Sequence, residues 1–268
     1  MQRIADYELI DSLGSGNHGE YFTARPPERL GLDVDLVAVK VLSINASDDA
    51  FRRVANELQL FASVLSDQLV TLHDAGQQSG RLFYAMEFFP HGSLGKPSIE
   101  LTRADVLRAV ADAARAAHAL HESGVAHRDI KPANVMLVDG GGKLGDLGLA
   151  QILSPGQTVT GIGPIGSIEY MEPGVVLGEQ AGRASDIWAL GVTAHRSLTG
   201  RSVFGEIPSG ELIAALRHVL QTEPELDDGL SPGDAAAIEA CLRPDRADRP
   251  ATAAEVATMF DELAKETA

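Results

Sequence analysis

The chain has 268 residues, enough for one large domain or two lobes, and its 44% hydrophobic content supplies an ordinary core without cross-links. A formal charge of −16 opposes unspecific binding to nucleic acid or anionic lipid, so an anionic ligand needs cations gathered around it. The single Cys241 excludes an intrachain disulfide and reads as packing rather than as a nucleophile. MQRIADYELI carries no basic stretch before a long apolar run, and no apolar segment is long enough to span a bilayer, so a cytoplasmic chain without leader or membrane contact is the expectation.

No fixed-period repeat or low-complexity tract occurs, but the texture changes near residue 90. Before it, YELIDSLGSG, GEYFTARP and LVAVKVL read as strands separated by turns. DDAFRRVANELQLFASVL then places apolar residues at 51, 54, 55, 58, 62 and 65, a helical stripe, and LVTLHDAG and RLFYAMEF add two more strands. Beyond the connector EFFPHG the pattern is mainly helical. Thr102 and Asp105 predict a capping box at the head of an alanine-rich helix that Gly124 ends, and Thr252 with Glu255 opens the last helix in the same way. The expected fold class is α+β: a small sheet with one helix, a short connector, and a larger helical lobe, with a ligand cleft at the junction.

LGSGNHGEY sets Gly14, Gly16 and Gly19 in a G-x-G-x-x-G spacing, where missing side chains let backbone N–H groups approach phosphate oxygens. A dinucleotide-binding turn uses the same spacing, and Asp33 or Asp35 stands where its ribose-binding acid would. That turn must open a helix, however, and Pro26 and Pro27 follow without a helical stripe; a strand-loop-strand hairpin fits better. In VAVK, Val37 and Val39 point to one face of a strand, Ala38 and Lys40 to the other. A small residue beside a cation suits a flat ring, and Glu57, on the flank of the helical stripe, is the candidate partner for Lys40.

HRDIKPAN then packs two cations, a carboxylate and an amide into one short loop, followed by KLGDLGLA. Phosphoryl transfer from a magnesium nucleotide needs an acceptor-orienting carboxylate, oxygen ligands for metal, and cations for the charge on the moving group. Glycine loop, VAVK, HRDIKPAN, DLG and DIWALG occur in that order, and together they resemble the eukaryotic-like serine/threonine protein kinases, in the form found in bacteria. The resemblance covers the chain from Tyr7 to the final helix and implies the two-lobed protein kinase fold, with an N-lobe over 1–86, a hinge at 87–90 and a C-lobe over 91–268.

By this resemblance the catalytic set is Asp129, Lys131, Lys40 and Glu57. Asp129 orients the acceptor hydroxyl and takes its proton, Lys131 contacts the γ-phosphate, and Lys40, paired with Glu57, positions the α- and β-phosphates. Asn134 and Asp146 hold magnesium, with manganese as an alternative ion. ATP lies against Leu13, Gly14, Ser15, Gly16, Asn17, His18, Gly19 and Tyr21; backbone groups of Glu87 and Phe89 bond adenine, and Ala38 and Met136 sandwich it. Lys131, two residues after Asp129, and Ser167 match the serine/threonine branch, so the implied partner is a protein with Ser or Thr hydroxyls, and the family allows a homodimer in activation. Leu72, Phe61, Leu147 and His127 match a stacked apolar column, which makes His127 a core residue. Asp186, Trp188 and Gly191 match a buried helix whose aspartate accepts backbone N–H bonds.

Three features depart from the pattern. Tyr21 replaces the usual valine above adenine, and its ring either stacks on the base or narrows the pocket. In GSIEYMEPG, Gly174 stands where the family has a glutamate that pairs with the arginine aligned to Arg249, so Arg249 needs another acid, with Glu172 a candidate, or water. The connection LGKPSIELTRAD is short, which would open the rim of the cleft. Residues 147–173 contain no Lys or Arg, and Arg128 marks kinases switched by phosphate on this segment, so Thr158, Thr160 and Ser154 are candidate modification sites. A nucleotide-binding pseudokinase scaffold remains the alternative from Tyr21 and Gly174, with a small-molecule phosphotransferase behind it.

Overall fold

The alternating segments at the start of the chain form a six-stranded antiparallel sheet in the computed structural model, which describes residues 3–16, 19–45, 48–146 and 165–266. The strands are β1 (Arg3–Ile4), β2 (Tyr7–Gly16), β3 (Gly19–Arg25), β4 (Val37–Asn45), β5 (Leu72–Gln78) and β6 (Arg81–Glu87), in the order β1-β2-β3-β4-β6-β5. Alternation decides the faces. Val37, Val39 and Val41 bury against Tyr7, Leu9, Phe22, Phe83 and Ala85, and the β3–β4 connection closes this side with Leu30 and Leu32. The segment after Pro27 makes only a 3-10 turn, Glu28–Leu30, so the expected strand-loop-strand arrangement is present. Tyr7 stacks edge-on against Phe83 and donates its hydroxyl to Asp74, which Arg29 ties to Asp6. Helix α1 (Asp48–Ser63) buries Val54 and Leu58 of the predicted stripe together with Phe61, which was not in it, and leaves Ala62 exposed. Leu65, the last residue of that predicted stripe, is 95% exposed because the helix stops at Ser63, whose hydroxyl bonds back to the Leu60 carbonyl.

The described residues divide into two compact units, the sheet with α1 and a second unit that holds Val64–Leu69 together with everything from Pro90 onward. Val64–Leu69 was expected with the sheet. It belongs to the second unit because Leu69 bridges Leu144 and the Leu144 N–H donates to the Gln68 carbonyl at 2.7 Å. This unit has a small sheet in the order β10-β9-β7-β8, from β7 (Gly92–Ser93), β8 (Lys96–Pro97), β9 (Val135–Val138) and β10 (Gly141–Leu144). Its helices are α2 (Arg103–Glu122), the one-turn α3 (Pro173–Val176), α4 (Arg183–Thr199), α5 (Leu212–Gln221), α6 (Pro232–Cys241) and α7 (Ala253–Lys265).

Helix α2 starts at the predicted Thr102–Asp105 capping box, and the chain leaves it through Gly124 at φ 78°, a left-handed position that costs a residue without a side chain little. Its buried face is mostly alanine: Ala109, Ala113, Ala116 and Ala117 let α2 lie close to α7, α4 and β10. The last helix opens with Thr252 accepting the Glu255 N–H, as its sequence predicts. No helix among the described residues is long and apolar enough to cross a membrane.

Candidate active site

The HRDIKPAN segment is an irregular loop between α2 and β9, and Asp186 in the first turn of α4 holds its start. The buried Asp186 carboxylate accepts the N–H groups of His127 and Arg128, both at 2.8 Å, and lies 2.7 Å from His121 Nε2. These bonds fix Arg128 at φ 68°, a left-handed conformation that costs a residue with a side chain about 1 to 3 kcal/mol. The next link is His127, which is fully buried. Its Nδ1 faces the Asp129 N–H and its Nε2 lies 3.0 Å from the Gly145 carbonyl, so the neutral tautomer with the proton on Nε2 satisfies both contacts. Burial holds its pKa below the ordinary imidazole value, against the pull of Asp186 and Asp129, which keeps that neutral form. His127 thus joins the loop to Gly145, directly after the β10 strand, as a structural residue.

The side chains that follow meet at one point. Lys131 Nζ donates to both Asp129 oxygens at 2.8 and 2.7 Å and to Ser167 Oγ at 3.1 Å. Asn134 Nδ2 donates to the Asp129 carbonyl at 2.7 Å and to Asp129 Oδ2 at 3.0 Å, while the Asn134 carbonyl accepts the Gly145 N–H at 2.9 Å. Asp129, Lys131, Asn134 and Ser167 are therefore one hydrogen-bonded cluster, and the Gly145 bond brings Asp146 beside it at φ 60°. The hairpin after Pro90 supports the loop from outside through Gly95 N–H to Pro132 and Leu94 N–H to Val135. Met136 follows on β9, half-buried.

The donor set can be tested against magnesium. The amide nitrogen of Asn134 is committed to Asp129, which turns its Oδ1 away from that residue, and Asp146 directly follows Gly145, whose N–H the Asn134 carbonyl accepts. Among the described residues no three His, Cys, Asp or Glu side chains gather as a metal cage. Two hard oxygen donors fit an ion that takes its remaining ligands from phosphate and water.

The sheet carries the second group of predicted residues. Leu13, Gly14 and Ser15 are exposed at the end of β2, and Gly16 pairs with Gly19 across the hairpin. Gly14 needs its missing side chain for φ 117°. Gly19 needs it for a reason that spacing does not reveal, since a Cβ there would overlap the backbone carbonyl of Val41. Lys40, 5% exposed, lies with its Nζ 4.7 Å from the Tyr21 ring centroid and 5.7 Å from that of Tyr84. Ala38 is buried on the same face, opposite Met86. The Glu87 N–H donates to the Thr71 carbonyl, and Phe89 is buried. Glu57 is on α1 with its side chain outside the described set; Asn17, His18, Leu147, Ser154, Thr158 and Thr160 lie outside the described residues.

Arg249 has its acid. Glu172, 4% exposed, accepts Arg249 Nη1 at 2.8 Å, Arg246 Nε and Nη2 at 2.7 and 2.6 Å, and the Ser185 hydroxyl at 2.8 Å. The remaining Arg249 donors reach the carbonyls of Arg243, Ala184 and Pro244, and its guanidinium lies 5.0 Å from the Trp188 ring centroid. Burial pushes the Glu172 carboxyl up, and the hydrogen bonds from Arg246, Ser185 and Arg249 outweigh it, leaving the group below its ordinary range. A glutamate two positions early thus fills the place of the one missing at Gly174. Sequence reasoning missed Arg246, Ser185, His121 and Tyr84. Strand alternation could have found Tyr84, which stands opposite Lys40.

Comparison with known proteins agrees with this geometry. The family model described as protein kinase domain matches residues 7–260. Serine/threonine-protein kinase PknJ of Mycobacterium tuberculosis is 31% identical over 249 residues, 89% of this chain and 41% of the relative. PknK of the same species is 34% identical over 261 residues, 94% of this chain and 23% of the relative. PknD is 32% identical over 230 residues, 83% and 34% of the two chains. The chain thus spans well under half of each of these bacterial relatives. With a family match over nearly its full length and the loop of Asp129, Lys131 and Asn134 folded as one cluster, this chain belongs to the protein kinase domain family.

Proposed function

We propose that the chain transfers the γ-phosphoryl group of MgATP to serine or threonine hydroxyls of proteins. The observation that carries this reading is the cluster in which Lys131 bonds both Asp129 and Ser167 while Asn134 bonds Asp129. Asp129 Oδ2 takes bonds from Lys131 and Asn134 and Oδ1 from Lys131, which leaves acceptor capacity on Oδ1 for a substrate hydroxyl. That hydroxyl oxygen bonds the γ-phosphorus, the bond to the bridging oxygen of ADP breaks, and Asp129 receives the proton. Lys131 offsets the negative charge on the transferring oxygens. Asn134 Oδ1 and the Asp146 carboxylate would hold magnesium, which would supply Lewis-acid neutralisation of the phosphates; manganese, with similar oxygen ligands, would substitute.

In the first unit, Lys40 with Glu57 positions the α- and β-phosphates, and residues 13–19 with Tyr21 cover them. Ala38 packs on the base, and the backbone of Glu87 and Phe89 bonds its edge. The names of the relatives, all serine/threonine kinases, support Ser/Thr acceptors over tyrosine. Labelled MgATP and a basic acceptor protein, followed by phosphoamino-acid analysis, test the reading. Phosphoserine or phosphothreonine that disappears with EDTA or with Asp129→Asn supports it; phosphotyrosine alone, or no EDTA-sensitive label, overturns it. Transfer onto Ser154, Thr158 or Thr160 is part of the same proposal, and phosphate absent from all three in wild-type protein would remove that part.

A further inference from the structure

Directly opposed residues on antiparallel strands share a face, and one row of them crosses five strands here. Tyr21 on β3 faces Lys40 on β4, Lys40 faces Tyr84 on β6, and the row ends in Gly14 beyond Tyr21 and Ala75 beyond Tyr84. The only bulk in the row is thus a lysine between two tyrosines. Both ring centroids lie within about 6 Å of the ammonium, the range in which a ring's negative face attracts a cation. Tyr84, 2% exposed, is itself packed into the core, whereas Tyr21 is only half-buried and lies on the face opposite Val37, Val39 and Val41.

We infer that Tyr21, together with Tyr84, is a positioning residue that fixes the Lys40 ammonium for the phosphate tail of the nucleotide, rather than a platform for the base. The inference rests on the kinase reading above, which gives Lys40 its ligand. The physical reason is twofold. An ammonium on a strand with so little exposure has lost most of its water, and two ring faces return part of that stabilisation. The rings also confine a flexible four-carbon stem, so less conformational freedom remains to be lost when phosphate binds. Lys40 has further interactions besides these rings, and the inference concerns only what the rings add.

Calorimetric titration of the wild-type chain, Tyr21→Val and Tyr21→Phe with adenosine and with MgATP separates the two roles. The result expected is MgATP binding about fivefold weaker in Tyr21→Val, near wild type in Tyr21→Phe, and unchanged adenosine affinity in both. In a Lys40→Met background Tyr21→Val changes MgATP affinity no further. Should Tyr21→Val fold poorly, phenylalanine carrying one, two or three fluorines at position 21 keeps the shape while draining the negative ring face, and MgATP affinity falls stepwise along that series. Equal losses for adenosine and MgATP assign the ring to the base and overturn the inference, as does a flat fluorine series. A wild-type chain that binds no MgATP brings down the kinase reading as well; a wild-type chain that binds it while Tyr21→Val binds equally brings down this inference alone.

Discussion

Replacing Glu172 by alanine removes the acid on which Arg249, Arg246 and Ser185 converge. Breaking a buried ion pair from one side costs about 3 to 5 kcal/mol, chiefly because the other charge stays buried and unpaired. The structure points to the low end. Arg249 keeps three backbone carbonyls, and the Arg246 side chain is about a third exposed and regains water. A loss of about 3 kcal/mol in a chain of this size lowers the melting temperature by roughly 6 to 12 °C. Glu172→Gln keeps the shape and one acceptor, and shifts it less. Gly174→Glu gives no gain, because Arg249 is already satisfied and a side chain at 174 points at the Glu179 carboxylate. The folded Glu172 pKa lies below its unfolded value of 4.5, so the carboxylate's contribution is complete above that pH and is lost as pH falls through the folded value. Glu172→Gln therefore flattens the acid limb of stability against pH. Thermal melts between pH 3 and 8 make the comparison, and a Glu172→Ala chain melting within about 2 °C of wild type at neutral pH refutes the reasoning.

Asp186→Ala strands the N–H groups of His127 and Arg128 together with His121, at about 1 to 3 kcal/mol for each buried group; urea denaturation should show the loss, and phosphotransfer should fall with it. Gly19→Ala drives a methyl into the Val41 carbonyl and should cost about 1 to 3 kcal/mol in the same measurement, whether or not nucleotide is present. Burial pushes the Cys241 thiol up to about 12, so at pH 8 it stays protonated; a chromogenic disulfide reagent should react only as fast as the chain unfolds.

The parts of this molecule that were legible in its sequence are those whose causes are local. Strand alternation placed Val39 and Lys40 on opposite faces, and the Thr102–Asp105 spacing marked where α2 begins, because each depends on residues a few positions apart. HRDIKPAN was legible for the same reason, with a carboxylate, an ammonium and an amide within one loop. The Glu172–Arg246 pair was not, since its members are 74 positions apart and an arginine in DRADRP carries no local sign of which acid it meets. The His121–Asp186 contact, 65 positions apart, was hidden in the same way. Gly19 has a second reason that spacing does not reveal: beside room for phosphate, packing against β4 forbids a side chain there. Leu65 fell outside the helix because an apolar spacing continues past the point where the backbone turns away.

The central claim is that Asp129 accepts the proton of an alcohol while phosphate moves to it. Rapid-quench measurement of phosphate transfer at saturating MgATP, wild type against Asp129→Asn, tests it most directly. The account predicts that Asp129→Asn loses about 10³-fold in kcat while its melting temperature and MgATP affinity remain close to wild type. An Asp129→Asn chain that transfers phosphate within about tenfold of the wild-type rate contradicts it.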